Sequence, residues 1–473
     1  MQKALNNRVL QWVFVVSAIV ITISGFQLPF FWDGPYFSGL AIHYFDTNFT
    51  SIIPPEEYDT GQFPLFSLYL GLAWSVFGKS LLVSHLAFLP VIIGLAIEFF
   101  RFARRFVYYT YLPFAVVLFL ADPAIITQSL YMSYDVVEAW FFLFSLNRLL
   151  EKKVFSFSFG LLILSMISTR SVLLLPPLFI IYLYRRSDVS VAKRIRESLM
   201  LFAPAALFLS LWNIFHYNET GWFLVSPLRS KTHESLGSAA MIPRQAIYIL
   251  WKLADSGRVF LWLIALVPFF FYSRRTRMTR RKQGVGGILM LSLFFTAIPM
   301  IFLKNPIAHR YFLFSFPILI ILVVRNLQYL TRFRYSRLIV FILVFVLISG
   351  NFWMYPQRFG NAWDTSLKSF PYGKLYQKTI ADIHDNQISL KEVASEFPLI
   401  INSNKLFIDE GNSCMIDLDD TTMSKVPYIL YSNVSNSFSP DEIRILNSNW
   451  QPVFSNKDGM IVMTLFRNPD KRN

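Results

Sequence analysis

Apolar stretches long enough to cross a bilayer recur along this sequence up to about residue 353, with short clusters of basic residues between them. After that point the chain becomes polar and stays polar. The recurrence predicts a polytopic α-helical membrane protein with about eleven spans. These spans are predicted near 9–30, 80–100, 107–121, 134–150, 154–169, 171–185, 198–217, 247–273, 286–303, 311–325 and 336–353.

The composition excludes a string of soluble domains for most of the 473 residues, because 54% are apolar, only 15% are charged and 49 are phenylalanine. The net charge of +15 does not indicate a nucleic-acid partner, since the basic residues lie at the ends of apolar segments, where they fix orientation in a membrane. The single cysteine, Cys414, excludes a disulfide framework or a thiolate metal site within the chain. The first apolar run is too long for a signal peptide and predicts a retained span.

The basic clusters alternate from loop to loop, which fixes a predicted orientation. Five basic clusters are predicted to lie on the same side of the membrane as the N-terminus. They are Arg101, Arg104 and Arg105; Arg148, Lys152 and Lys153; Arg185, Arg186, Lys193, Arg194 and Arg196; Arg274 to Lys282; and Arg325, Arg332, Arg334 and Arg337. Basic residues are fewer and scattered in the other loops. By the positive-inside rule we expect a cytoplasmic N-terminus in a plasma membrane, taken as the bacterial inner membrane.

This orientation predicts two regions. A transmembrane domain, 1–353, carries a first outer loop at 32–79, in which 63–78 is predicted to be a re-entrant or interfacial helix. A soluble outer-face domain, 354–473, alternates strand-like stretches (398–402, 427–432 and 459–466) with turn-rich clusters and a helix at 440–447. That pattern is typical of a small extracytoplasmic α/β domain.

Asp33 is the first candidate for chemistry, because it directly follows the first span in the sequence Phe-Trp-Asp-Gly-Pro-Tyr. A carboxylate at the membrane edge is partly desolvated, which raises its basicity, and a lipid-borne substrate can reach it. The alternative is a routine turn before Gly-Pro.

Asp135 and Glu138 form the second candidate group, at the start of the fourth span. Three positions apart, they share one helical face and could act jointly on a cation or a hydroxyl. The helix macrodipole alone would also favour acidic residues there.

The third candidate group is Lys304, His309 and Arg310, in a short outer turn directly before a span. Arginine offers a lipid phosphate a bidentate partner at this depth, and Arg170, between two closely spaced spans, is a further candidate. A purely anchoring role at the interface would produce the same pattern.

The arrangement resembles glycosyltransferase family 39 and its relatives, the protein O-mannosyltransferases and the aminoarabinose transferases, which have the GT-C fold. The resemblance rests on an acidic residue after span one, then Tyr58-Asp-Thr-Gly-Gln-Phe-Pro-Leu-Phe66, Phe77-Gly-Lys-Ser80, Asp122-Pro-Ala-Ile-Ile-Thr-Gln-Ser129 and His309-Arg-Tyr. Two positions differ from the family pattern. Its Asp-Glu pair is Asp33 and Gly34 here, and its His-Pro-Pro is Gln62, Phe63 and Pro64.

The resemblance implies an inverting transfer of a sugar from a polyprenyl-phosphate donor to a hydroxyl of a protein, lipid or glycan. It implies that Asp33 is the general base and that cations, or a divalent metal ion, stabilise the leaving phosphate. Asp33 and Asp135 are the candidate catalytic residues. The candidate substrate-binding residues are Asp59, Gln62, Glu138, Arg170, Lys304, His309 and Arg310.

A transporter or flippase for a lipid-linked substrate is the alternative function. Transporters place polar residues at mid-membrane and show matching interruptions in two halves. Here the polar residues concentrate at one membrane face, beside a large outer loop and an outer tail, which favours an enzyme.

Overall fold

The computed structural model describes residues 2–227, 238–271, 284–303, 307–330, 332–356, 359–409, 414–418, 422–435 and 437–471. Helices dominate the region before residue 353. In chain order they are α1 (Gln2–Gly25), α2 (Gly34–Asp46), α3 (Leu65–Phe77), α4 (Leu81–Phe106), α5 (Leu112–Ala121), α6 (Pro123–Leu130), α7 (Tyr134–Leu150), α8 (Val154–Ser165), α9 (Thr169–Val172), α10 (Leu175–Arg185), α11 (Val191–Thr220), α12 (Ile242–Ala254), α13 (Arg258–Phe271), α14 (Gly284–Ile301), α15 (Ser315–Leu330) and α16 (Phe333–Gly350).

Five of the described helices are long and apolar enough to cross a membrane. They contain the segments Arg8–Gly25, Leu81–Phe106, Val191–Thr220, Gly284–Ile301 and Phe333–Gly350. A sixth span forms if α5 and α6, which meet at a bend of 56°, count as one. The chain is thus a polytopic helical membrane protein, as predicted, whereas the number of eleven spans stays a prediction.

The predicted span 247–273 is not one helix. The structure ends α12 at Ala254 and starts α13 at Arg258, and the intervening Ser256 and Gly257 have φ of 55° and 84°. A Cβ on Gly257 would lie 2.8 Å from the backbone oxygen of Val346, so glycine permits this close approach. The break places Asp255 beside His309 and Tyr355.

The segment predicted to be re-entrant or interfacial folds as α3, which begins directly after Pro64 and ends before Gly78. Its 13 residues extend about 20 Å at the helical rise, well short of a bilayer core of about 30 Å. A helix of this length fits the predicted interfacial or re-entrant position, which stays a prediction.

The tail contains a mixed five-stranded sheet with the strand order β2-β1-β3-β5-β4. β1 pairs in parallel with β2 and β3, and β5 pairs antiparallel with β3 and β4. The tail's elements are β1 (Val393–Ser395), β2 (Ile416–Asp417), β3 (Tyr428–Ser432), β4 (Gln451–Asp458), β5 (Ile461–Arg467), α17 (Tyr372–Asp385), α18 (Ser403–Phe407) and α19 (Pro440–Asn449).

Three of the four elements expected in the tail are confirmed, as β3, β5 and α19. The strand predicted at 398–402 is wrong, because that stretch forms turns and the neighbouring strand is β1. Pro398 has no N–H to give to a β-ladder, which disfavours a strand there. The boundary at residue 353 between two domains stays a prediction.

The tail packs on one end of the helical bundle. One hydrophobic cluster joins Leu28, Phe31 and Tyr131 of the bundle to Tyr372 and Tyr376 of α17. The ring of Phe31 lies 4.8 Å from those of both Tyr131 and Tyr372. This packing brings the tail against the end of the bundle that carries Asp33.

Candidate active site

Asp33 lies between Trp32, which has a positive φ of 59°, and α2, whose first turn contains Pro35. Its side chain forms no capping hydrogen bond with α2, so a local turn does not account for the carboxylate. Instead Oδ2 accepts a hydrogen bond from Nη2 of Arg310. The Asp33 side chain is 27% exposed, so it remains within reach of a substrate.

Arg310 is the centre of the site, and its side chain is only 4% exposed. Beyond Asp33 it meets two further carboxylates. Its Nη1 donates a hydrogen bond to Asp364, which lies in the tail, and its Nε lies 3.3 Å from Oδ2 of Asp135. Three carboxylates around one guanidinium leave the group with excess negative charge unless other cations are near.

Arg170 supplies one of those cations. Its Nη2 lies 3.0 Å from Oδ1 of Asp135 and donates a hydrogen bond to the hydroxyl of Tyr134. Its guanidinium also lies 3.9 Å from the centre of the Tyr311 ring. Asp135 therefore bridges the two arginines, and the structure brings four predicted residues, Asp33, Asp135, Arg170 and Arg310, into one cluster.

Glu138 lies on the same face of α7 as Asp135 but has different partners. Its Oε2 accepts a hydrogen bond of 2.9 Å from Ser171 and one of 3.5 Å from Ser168. Gln62 pairs through its backbone with Ser168, which places the first outer loop beside this part of the cluster. These two predicted residues thus form the flank of the site.

His309 points away from Asp33 toward the break between α12 and α13. Its Nε2 lies 2.6 Å from Oδ2 of Asp255, whose Oδ1 accepts a hydrogen bond of 2.5 Å from the Tyr355 hydroxyl. Burial, together with the nearby Lys252 cation, lowers the pKa of His309 to about 4. Burial therefore favours the neutral imidazole, and a ring protonated at Nε2 would donate a hydrogen bond to Asp255.

Two buried lysines complete the charges around Asp255 and Asp364. Lys252 is 6% exposed and Lys368 is 4% exposed, and both act electrostatically on these two aspartates. Lys368 donates a hydrogen bond of 2.7 Å to the backbone oxygen of Trp353. Neither lysine forms an ion pair within the described part of the chain, and Asp255 and Asp364 are the acidic groups that act on both.

Asp59 is not part of this cluster's ion pairs. Its Oδ2 accepts a hydrogen bond of 2.5 Å from the indole of Trp222 and lies 3.2 Å from Nε2 of His216. The contacts join the first outer loop to the end of α11. A role of Asp59 in substrate binding would therefore involve Trp222 and His216 rather than Arg310, and it stays a prediction.

Lys304 lies outside the described residues. Among the residues that are described, no group of three or more histidine, cysteine, aspartate or glutamate side chains is arranged to hold a metal ion.

Sequence reasoning missed five residues of the site: Lys252, Asp255, Tyr355, Asp364 and Lys368. Asp255 and Lys252 were hidden within an apparently continuous span, where the Asp-Ser-Gly interruption was the available signal. The other three lie in the tail without a recognisable motif. Tertiary packing brings Asp364 to Arg310, Tyr355 to Asp255, and Lys368 near both aspartates.

The space enclosed by the site is small. A cavity of about 10 Å³ is lined by residues that include Trp32, Asp33, Tyr134, Arg310 and Asp364. That volume holds about one water molecule. A sugar phosphate can enter only if some of these side chains move apart.

Comparison with known proteins shows which solved structures have a similar fold. No protein-family model matches the sequence, and no curated protein matches it significantly. Two crystal structures of ArnT from Cupriavidus metallidurans are similar to this chain at 13% identity, each covering 96% of this chain and 97% of ArnT. The TM-score is 0.52 for ArnT bound to undecaprenyl phosphate and 0.49 for the apo state. ArnT is an aminoarabinose transferase with the GT-C fold, and the likeness to its lipid-bound structure confirms the GT-C-like fold expected for this chain.

Proposed function

We propose that this protein transfers a sugar from a polyprenyl-phosphate donor to a hydroxyl group of a protein, lipid or glycan at the extracytoplasmic face of the membrane. The fold shared with ArnT supports the proposal, because the ArnT crystal structure holds undecaprenyl phosphate. The charge pattern of the loops supports the extracytoplasmic orientation.

One observation carries the proposal: a buried arginine, Arg310, is surrounded by Asp33, Asp135 and Asp364 at the end of the bundle where the tail packs. Buried charges of this kind are costly unless they are paired, and they concentrate where function requires them. A half-buried carboxylate beside cations suits transfer from a phosphate, since one group accepts a proton and the others stabilise a departing anion.

In the proposed step the acceptor oxygen attacks the anomeric carbon of the sugar from the face opposite the phosphate. The new carbon–oxygen bond forms as the bond from the anomeric carbon to the phosphate oxygen breaks, which inverts the configuration. The acceptor proton passes to Asp33, and the electron pair leaves with the polyprenyl phosphate. That leaving group needs cationic stabilisation and no proton of its own.

Arg310 and the two lysines are the proposed phosphate ligands. In the structure the two terminal nitrogens of Arg310 are engaged by Asp33 and Asp364. A donor phosphate that approaches Lys252 and Lys368 competes with these carboxylates for the guanidinium. Loss of the Arg310 contact would then release Asp33 to accept the proton of the acceptor, so that donor binding activates the base.

Mass spectrometry of glycolipids and glycoproteins, in cells with and without the gene, tests the function. We expect one glycan, glycolipid or glycoprotein to lose a single sugar in the deletion strain and to regain it with the parental gene but not with Asp33→Asn. Full restoration by Asp33→Asn is the result expected for a transporter that needs no general base, and an unchanged set of glycoconjugates in the deletion strain would show that no sugar depends on this protein. Either of these results would overturn the proposal.

A further inference from the structure

A large groove lies at the opposite end of the bundle from the candidate site. It runs between α1 and α4, and its lining includes Arg8, Trp12, Phe100, Arg101, Arg104 and Arg105, which we call the basic groove. Arg8 precedes the end of α1 at Gly25 by 17 residues, or about 26 Å of helix. The basic groove is therefore about one membrane thickness away from Asp33.

The basic groove has a volume of about 780 Å³, and its remaining lining is mostly apolar. Trp12 is exposed on α1, and Phe14 forms the floor, with its ring 6.0 Å and 6.2 Å from those of Phe99 and Phe100. A volume of this size lies in the range of small-molecule sites. The apolar walls can accommodate an acyl chain, and the four guanidinium groups form a cationic rim.

The acidic neighbours do not neutralise this rim. Arg101 pairs with Glu98 at 2.5 Å and Arg105 lies 3.5 Å from Glu151. Both glutamates are shared with Arg148, at 3.0 Å and 2.7 Å. Two cations of the rim remain without a carboxylate.

Those two are Arg8 and Arg104, which form no ion pair with any described residue. The Arg104 guanidinium lies 5.9 Å from the centre of the Phe100 ring. Orientation in the membrane explains why basic residues lie at this end, but it does not require four of them to line one apolar groove.

We propose that the basic groove binds an anionic phospholipid, with the headgroup phosphate between Arg8 and Arg104 and an acyl chain along Trp12 and Phe14. Charge complementarity selects the anionic headgroup, and the apolar walls select a lipid over free phosphate. Basic pockets between transmembrane helices bind such lipids through the same two interactions.

Fluorescence quenching of Trp12 tests the site directly. The full chain is placed in nanodiscs that contain equal small fractions of brominated phosphatidylglycerol or brominated phosphatidylcholine. Because the chain has 11 tryptophans, the contribution of Trp12 is obtained as the difference in quenching between the parent and Trp12→Phe. We expect stronger quenching by the anionic brominated phosphatidylglycerol, with a preference of about fivefold for each arginine that contacts the phosphate.

The variant Arg8→Gln/Arg104→Gln should remove this preference. Arg332→Gln/Arg334→Gln, which removes two exposed arginines from the same end of the bundle, should retain it. Competition by inorganic phosphate should have no effect if the acyl chain is required. Equal quenching by both lipids in the parent, a preference that survives in Arg8→Gln/Arg104→Gln, or displacement by phosphate alone would overturn the proposal.

Discussion

Arg310 donates a hydrogen bond to Asp33, although 277 positions separate the two residues in the chain. The contact joins the turn after the first span to the turn before α15. Neither residue is explained by its local structure, because the Asp33 side chain forms no capping hydrogen bond with α2 and Arg310 lies buried among carboxylates. The pair is therefore the strongest structural indication of where chemistry occurs.

Asp33→Asn should abolish sugar transfer while the protein still inserts and folds. The amide keeps the shape of the side chain but cannot accept a proton, and loss of a general base typically lowers rate by about 10²–10⁴. Turnover is measured per folded molecule. Asp46→Asn serves as the matched control, because Asp46 is an exposed carboxylate of the same outer loop and should tolerate the change. Near-normal turnover of Asp33→Asn would remove Asp33 from the mechanism.

Arg310→Ala should raise the apparent donor KM much more than Arg310→Lys. A charge-assisted contact contributes about 1.5–3 kcal/mol, and lysine keeps the charge but loses the bidentate fork. Donor titrations are normalised to folded protein, because Arg310→Ala leaves three buried or half-buried carboxylates without the cation that they share. A purely anchoring role predicts reduced yield with unchanged kinetics. Unchanged donor dependence in Arg310→Ala would place the phosphate elsewhere, with Arg170 or Lys304 the next to be tested.

Donor binding should weaken as the pH rises above about 8. Burial lowers the pKa of Lys368 to about 8, so the ammonium is charged below that pH and neutral above it. Since only the charged form attracts phosphate, the donor KM should rise between pH 7 and 9. In Lys368→Arg the rise should disappear, because arginine stays protonated. A rise of equal size in Lys368→Arg would show that another group titrates.

Asp122 and Arg258 should control stability without entering catalysis. Both side chains are fully buried, and the guanidinium donates two hydrogen bonds of 2.8 Å to the carboxylate. Asp122→Asn or Arg258→Met alone should cost about 3–5 kcal/mol, because each leaves a buried charge unpaired. The double variant should cost less than the sum, as measured by thermal unfolding in detergent. Additive losses would show that the two side chains do not act as a pair. Asp441→Asn, in an exposed pair, should leave the melting temperature unchanged.

The tail should lie outside the cell. Cys414 is exposed and is the single cysteine of the chain, so a membrane-impermeant maleimide should modify it in intact spheroplasts. Modification only after the inner face is exposed would reverse the predicted topology. The loop with Arg274 to Lys282, which lies outside the described residues, should show the opposite accessibility when a cysteine is introduced there in a Cys414→Ser background.

The apolar stretches were sufficient to predict the fold class and the positions of most helices, because burial in a membrane imposes a composition that is readable without tertiary information. Asp33, Asp135, Arg170 and Arg310 were also predictable, since each is a charged residue at the end of an apolar run. Asp364 and Lys368 were not, because the tail reaches Arg310 only through packing of Tyr372 against Phe31. The interruption at Asp255 was missed because its flanking residues are apolar enough to continue a span.

The release of polyprenyl phosphate by the purified protein is the decisive measurement for the proposed sugar transfer. Parent and Asp33→Asn are incubated in nanodiscs with a lipid extract that contains polyprenyl-phosphate sugars and acceptors, and both lipid species are quantified by liquid chromatography and mass spectrometry. We expect the parent to convert one polyprenyl-phosphate sugar into polyprenyl phosphate, with the sugar recovered on an acceptor, and Asp33→Asn to leave the donor intact. If the donor stays intact with the parent, or both proteins release equal amounts of polyprenyl phosphate, the proposed transfer reaction is contradicted.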